Sequence, residues 1–128
     1  AIFLADEPAA IRKKVMKAVT DAGPTEPNQT KPEVIENIFQ LMRVISAPET
    51  VQYFDDQYNT CQIRYGDMKK QLAEDMVAFT APFRERINEL LSDEAYISRV
   101  ARMGREKAQA SAAKTVREVR EIIGFKRF

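Results

Sequence analysis

Histidine is absent from the 128 residues, and cysteine occurs once, at Cys61. Without histidine there is no Ser-His-Asp or Cys-His catalysis, and most transition-metal sites lose their commonest ligand. A single cysteine closes no internal disulfide and holds neither a four-cysteine zinc ribbon nor an iron-sulfur cluster, so Cys61 reads as a loop thiol. No stretch approaches the roughly 18 apolar residues of a membrane span, and no charged-then-apolar signal region opens the chain. These absences argue against a secreted scaffold, a membrane protein and an enzyme acting through this chain alone. A cytoplasmic setting fits best, and no metal site is expected.

What is present suits one helical domain over residues 1–128. Hydrophobic residues make up 45% and charged residues 30%, enough for a core under a solvated surface. The organising stretch is 67–91, DMKKQLAEDMVAFTAPFRERINELL. Its apolar residues Met68, Leu72, Met76, Phe79, Phe83, Ile87 and Leu90 recur every three or four positions and form one helical stripe. Asp67 reads as the N-cap. Pro82 removes a backbone donor and crowds the carbonyl of Ala78, so a kink is expected there, not a stop. The fold predicted is an all-α small bundle of five or six helices organised around this long, Pro-kinked column, its longest element.

Around the column, Ile2-Phe3-Leu4 reads as a linker strand cut from something larger. Asp6 is expected to cap a helix with Pro8 in its first turn and with Ile11, Val15, Ala18 and Val19 inward, ending near Thr20 and Asp21. Residues 22–29 hold two prolines and a glycine and form a loop. Thr30-Lys31-Pro32-Glu33 and Ser46-Ala47-Pro48-Glu49 read as capping boxes. The first opens a helix facing inward through Ile35, Ile38, Phe39, Met42 and Ile45, the second a shorter one with Val51, Phe54 and Tyr58. Ser92-Asp93 caps a last region with Tyr96, Ile97, Val100 and Met103, then Ala108, Ala112, Val116, Val119 and Ile123, which Gly104 kinks or divides and Gly124 ends.

The net charge of +1 conceals an asymmetry. Residues 1–98 carry eleven Lys and Arg against sixteen Asp and Glu; residues 99–128 carry nine against three. A basic C-terminal helix either meets a polyanion or is a solvated face, and composition leaves both open.

Several runs together resemble one family. Arg64-Tyr65-Gly66-Asp67-Met68-Lys69-Lys70-Gln71-Leu72-Ala73-Glu74 is similar to a signature in the C-terminal helical domain of bacterial tryptophanyl-tRNA synthetases. Ile11-Arg12-Lys13-Lys14 with Ala18-Val19-Thr20-Asp21 resembles the segment that follows that family's lysine-methionine-serine-lysine-serine loop. Pro82-Phe83-Arg84-Glu85-Arg86, and Gly104-Arg105-Glu106-Lys107-Ala108 with 115–120 and Gly124-Phe125, resemble later pieces in the same order.

The resemblance implies the part after the catalytic domain: residues 1–21 as linker strand and helix, and 30–128 as the anticodon-binding bundle. Catalytic residues therefore fall on no position of this sequence. ATP and Mg²⁺ would serve the full-length tryptophan–tRNA ligase, a homodimer through its catalytic domain, whereas this chain alone would be an inactive monomer with no cofactor. Its partner would be tryptophan-specific tRNA, and no membrane is involved. Contact with tRNA needs cations spaced to track phosphates and planar groups for unstacked bases. The candidate cations are Lys69, Lys70, Arg84, Arg86, Arg99, Arg102, Arg105 and Lys107, with Lys69 matched to the family's pattern. Each taken singly also reads as an ordinary surface charge, and Lys69 equally as a partner of Glu74 or Asp75. Tyr53, Tyr58, Tyr65 and Tyr96 are candidates for stacking, although their helical phase favours the core. The alternatives are a helical protein-interaction module and the equivalent domain of a tyrosyl-tRNA synthetase.

Overall fold

Proline sets where two of the helices begin. The structure, a computed structural model, describes residues 1–125. It contains α1 (Pro8–Met16), α2 (Glu33–Ile45), α3 (Pro48–Asn59), α4 (Tyr65–Ser92) and α5 (Glu94–Ile122), with no strand among the described residues. The all-helical prediction holds. In α1 and α3 proline occupies the first helical position, where its missing N–H costs nothing. The residue before it, Glu7 or Ala47, is held extended with ψ of 147° or 143° and becomes the N-cap. This displaces the expected caps. Asp6 caps nothing; its carboxylate accepts from the Phe3 amide at 2.8 Å and from Lys14 instead. Ser46 lies one residue too early, and its buried hydroxyl has no hydrogen-bond partner. Thr30 is likewise displaced, because Pro32 is itself the N-cap of α2 and its carbonyl takes the amides of Ile35 and Glu36, both at 2.9 Å.

Two compact units divide the chain, Ala1–Arg86 and Ile87–Phe128. In the first, the core joins Ile11 and Val15 of α1, Ile35, Ile38, Phe39 and Met42 of α2, Phe54 and Tyr58 of α3, and Met68, Leu72, Ala73 and Met76 of α4. The rings of Phe39 and Tyr58 meet edge to face with centroids 6.3 Å apart. Lys31 lies over both, 4.9 and 4.7 Å from their centroids, and its ammonium pairs with Asp55 at 2.7 Å. A cation largely withdrawn from water thus has two π faces and a carboxylate in place of its hydration.

Helix α1 stops at Met16, short of the predicted Thr20 and Asp21, and Val19 is exposed. The loop that follows is tied down. Asp21 Oδ1 accepts from the Gly23 amide at 2.8 Å and from the Tyr65 hydroxyl at 2.7 Å, and the Asn28 amide donates to the Asn59 carbonyl at 3.0 Å. Residues 1–7 form no strand: the Asp6 amide donates back to the Phe3 carbonyl at 3.0 Å, making a turn.

Helix α4 begins two residues before Asp67, which lies in the first turn with its amide donating to the Arg64 carbonyl at 3.0 Å. The helix runs through Pro82 without stopping. Its stripe is buried only through Met76. The buried face also takes in Ala73 and, beyond Met76, Thr80, whose hydroxyl satisfies itself on the Met76 carbonyl at 2.9 Å. Phe79 and Phe83 are 41% and 44% exposed and pack on each other, centroids 5.6 Å apart, contrary to the inward placement predicted for them.

In the second unit α5 has 29 residues against 28 for α4, so the expected longest element is second. Of the pair Ser92-Asp93, Asp93 caps it, accepting from the Tyr96 amide at 2.8 Å, while the Ser92 hydroxyl donates to the Glu89 carbonyl at 2.7 Å within α4. It continues through Gly104 undivided. Gly124, at φ +73°, ends it: the Phe125 amide donates to the Arg120 carbonyl at 2.8 Å and the Gly124 amide to that of Glu121 at 3.3 Å. No residue of α5 is buried.

Candidate nucleic-acid interface

The cations of the first unit are largely spent on the fold. Arg12 reaches Glu74 with two parallel hydrogen bonds of 2.7 and 2.8 Å, a geometry that a planar guanidinium makes with a carboxylate. The bond from Arg12 holds the Glu74 carboxyl below its usual range, and Arg43, 2.6 Å away, does the same to Glu36. Asp6 is lowered by the hydrogen bond from Lys14 and then by that from the Phe3 amide.

Among the predicted contact residues, Lys69 is part-buried and its ammonium donates to the Thr20 hydroxyl at 3.2 Å. It pairs with neither Glu74, which Arg12 occupies, nor Asp75, whose Oδ1 accepts from Gln71 at 2.8 Å. Lys69 pins the loop after α1 to α4. Arg84 donates to the Asp6 carbonyl at 3.3 Å. Lys70 is open to solvent with Asp67 3.7 Å away. Arg86 is exposed two residues beyond Arg84 on α4.

The remaining four stand on α5. Arg99 lies over the Tyr96 ring, 5.4 Å from its centroid. Arg102, Arg105 and Lys107 are exposed and have no ion pair or hydrogen bond among the described residues. Three cations not singled out by the sequence join them: Lys114, 4.0 Å from Glu118, and the open Arg117 and Arg120. At 3.6 residues per turn, Arg99 and Arg117 share one side of the helix roughly 27 Å apart, as do Arg102 and Arg120. Arg105 and Lys107 fall to either side of that line. The signal for the added three was the same spacing, continued. Lys126 and Arg127, part of the basic count, lie outside the described residues.

The tyrosines divide by burial. Tyr58 is fully buried, its hydroxyl has no hydrogen-bond partner, and burial pushes its pKa up. Burial, and then the hydrogen bond to Asp21, pushes the Tyr65 hydroxyl far above its ordinary range. Tyr53 is 57% exposed and Tyr96 37%. Tyr53 opens on a cleft of about 540 Å³ at the end of α3 and the start of α4, with Phe54, Gln57, Gln62, Arg64 and Asp67. Cys61, at φ +57°, makes the turn between these helices: the Gln62 amide donates to the Gln57 carbonyl at 2.8 Å and the Cys61 amide to that of Tyr58 at 3.0 Å. No group of three or more His, Cys, Asp or Glu is placed to hold a metal among the described residues, and no described helix is long and apolar enough to cross a membrane.

The chain is similar to known proteins of one family. A family model described as "tRNA synthetases class I (W and Y)" matches residues 1–81. The chain is 60% identical over 126 residues to a tryptophan–tRNA ligase of Porphyromonas gingivalis, covering 98% of this chain and 38% of that protein. It is 36% identical to tryptophan–tRNA ligase 1 of Streptomyces coelicolor, covering 97% and 36%, and 37% identical to the Listeria monocytogenes enzyme, covering 99% and 38%. The chain thus spans little more than a third of the length of these curated relatives. No solved structure matches it significantly.

Proposed function

Because this chain belongs to the class I tRNA synthetases of the tryptophan and tyrosine type, we propose that it is the tRNA-binding C-terminal part of a tryptophan–tRNA ligase. The whole enzyme joins tryptophan to its tRNA at the expense of ATP in the cytoplasm. This part supplies recognition of the anticodon end and stem, and the chemistry belongs to a catalytic Rossmann domain through which the enzyme dimerises. ATP and Mg²⁺ belong there too, with the histidine motif that this chain lacks.

The observation that carries the reading is the uncommitted charge of α5. Arg102, Arg105, Lys107, Arg117 and Arg120 have no internal partner among the described residues, so each is free to replace a counterion on a phosphate. Such pairing gives affinities roughly in the 10⁻⁴ to 10⁻⁶ M range, falling steeply with salt. Anisotropy titrations of labelled tRNA at several salt concentrations test it. Arg102→Ala with Arg105→Ala should flatten the slope of log affinity against log salt by about one unit for each phosphate no longer neutralised. An unchanged affinity and slope would make the basic helix a solvated face only.

A protein-interaction module is the second reading, and one observation favours it: Val100, Met103, Val116 and Val119 of α5 are between 44% and 51% exposed. Binding through those side chains would be insensitive to salt.

A further inference from the structure

We propose that the apolar face of α5 pairs with the same face of a second copy of this chain, the two helices running antiparallel about a twofold axis level with Ala110. The proposal goes beyond tRNA binding and does not depend on it.

The face comes from spacing. Ile97, Ala108 and Val119 stand 11 residues apart, as do Ala101, Ala112 and Ile123, with Gly104 and Thr115 set between them. An 11-residue repeat has about 3.67 residues per turn against about 3.6 for the helix itself, so the line scarcely drifts over roughly 39 Å. No charged residue interrupts it, and no described residue buries it: Ile97, Val119 and Ile123 are 41%, 48% and 63% exposed. The one hydroxyl on the line, that of Thr115, already donates to the Ser111 carbonyl at 3.3 Å and needs no water. A bare apolar face of this extent is a docking surface.

Its shape makes the partner a second copy. Turned end over end about residue 110, Ile97 meets Ile123, Ala101 meets Val119, Ala108 meets Ala112, and Gly104 comes against Thr115 and Val116. Residue for residue the face is its own complement, as a twofold interface requires. A Cβ built at Gly104 has nothing within 4 Å, which leaves room for the partner's side chains. A methyl there would still fit, as at Ala108 and Ala112; an isobutyl group would not. Parallel helices would instead set Gly104 against Gly104 and leave a void.

Charge selects the same direction. In the antiparallel pair Arg99 stands level with Glu121, Arg102 with Glu118 and Glu106 with Lys114, and no charge in 94–122 stands level with its own kind. Parallel helices in register would put every charge level with its like. These side chains lie off the contact line, so they choose the direction while the apolar line holds the pair. By helical phase Arg99 and Arg117 lie on the opposite side, so paired chains keep them for a polyanion. Pairing obeys mass action, and dilute chains are single.

Sedimentation equilibrium of the full chain tests this at roughly 0.15 M salt, from about 10 μM to about 1 mM. The mass should climb from 14.6 kDa toward twice that value. Gly104→Leu should raise the dissociation constant about 10-fold or more, because it overpacks the contact at two equivalent places. Leucine is a good helix former, so circular dichroism should show α5 intact. Cross-linking in a Cys61→Ser background reads the direction. Chains carrying Ala101→Cys should form disulfides with chains carrying Val119→Cys and neither with its own kind, since like positions are roughly 27 Å apart along an antiparallel pair. A parent that keeps its single-chain mass throughout overturns the proposal and assigns the face to another protein or to another part of a longer one. A folded Gly104→Leu that pairs like the parent overturns it too, as do disulfides between like positions.

Discussion

The two units use the same kinds of residue to opposite ends. In Ala1–Arg86, apolar stripes are buried and most cations have an internal partner: Arg12 with Glu74, Lys14 with Asp6, Lys31 with Asp55, Arg43 with Glu36, and Lys69 with Thr20. In α5 no side chain is buried, and five of its cations have no partner among the described residues. A count of charge therefore misjudges both. What matters for a polyanion is charge not already spent, and α5 holds most of it although both units are rich in Lys and Arg.

Core truncation should separate the units most. Leu72, 1% exposed in the first unit, should cost about 2 to 5 kcal/mol as Leu72→Ala, whereas Val100→Ala on α5 should stay within roughly 0.5 kcal/mol. Phe83→Ala should also fall well below the core value, its ring being 44% exposed. Urea unfolding followed by circular dichroism reads all three. Equal losses at Leu72 and Val100 would erase the distinction between a packed unit and an unpacked helix.

A smaller effect of opposite sign is expected at Gly104. It sits within α5 with nothing within 4 Å of where a Cβ would be, so Gly104→Ala should stabilise the helix by about 0.5 to 1 kcal/mol. Thermal melting monitored at a helical wavelength measures it. Destabilisation would mean that another helix approaches this face closely.

Acid should produce the smallest change, confined to the first unit. The carboxyls of Asp6, Glu36 and Glu74 titrate lower in the folded chain than unfolded. The folded state thus binds fewer protons, and the stability these pairs give is complete above the unfolded carboxylate range, about pH 4, and lost as pH falls through the lowered values. Solvent screens exposed pairs, so the loss should be slight. In low-pH urea titrations, Glu74→Gln should be less sensitive to acid than the parent; equal sensitivity would remove Glu74 from the account.

Much of this is legible in the sequence, and the reasons for the rest are physical. The faces of α2 and α3 are clear because Ile35, Ile38, Phe39 and Met42, and Phe54 with Tyr58, recur at the helical period and are all buried. The caps depart from the motifs at Thr30 and Ser46 because a proline fixes the first turn regardless of which hydroxyl precedes it. Periodicity in α4 says which residues share a side, not how far along the helix α1 to α3 reach, so the pattern alone cannot separate Phe79 and Phe83 from the buried residues before them. For the candidate interface, Arg102, Arg105 and Lys107 of α5 are legible because no described neighbour engages them. Lys69 is not, since its partner Thr20 lies 49 residues away in the chain. The cleft at Tyr53 arises only when the ends of α3 and α4 are brought together by a left-handed cysteine, which no local pattern announces.

Time distinguishes the units as sharply as packing does. Arg12 and Glu74 are separated by 62 residues and Tyr65 and Asp21 by 44, so those bonds wait for long loops to close, the step that slows folding. The bonds that shape α5 join near neighbours, Asp93 with Tyr96, Lys114 with Glu118 and Arg120 with Phe125. Helices held so locally form and melt within about a microsecond. A temperature jump should resolve α5 as a fast phase ahead of the first unit's relaxation, and a single slow phase would show the two to be one cooperative body. On two such clocks, α5 should unwind and rewind many times while the packed unit remains folded.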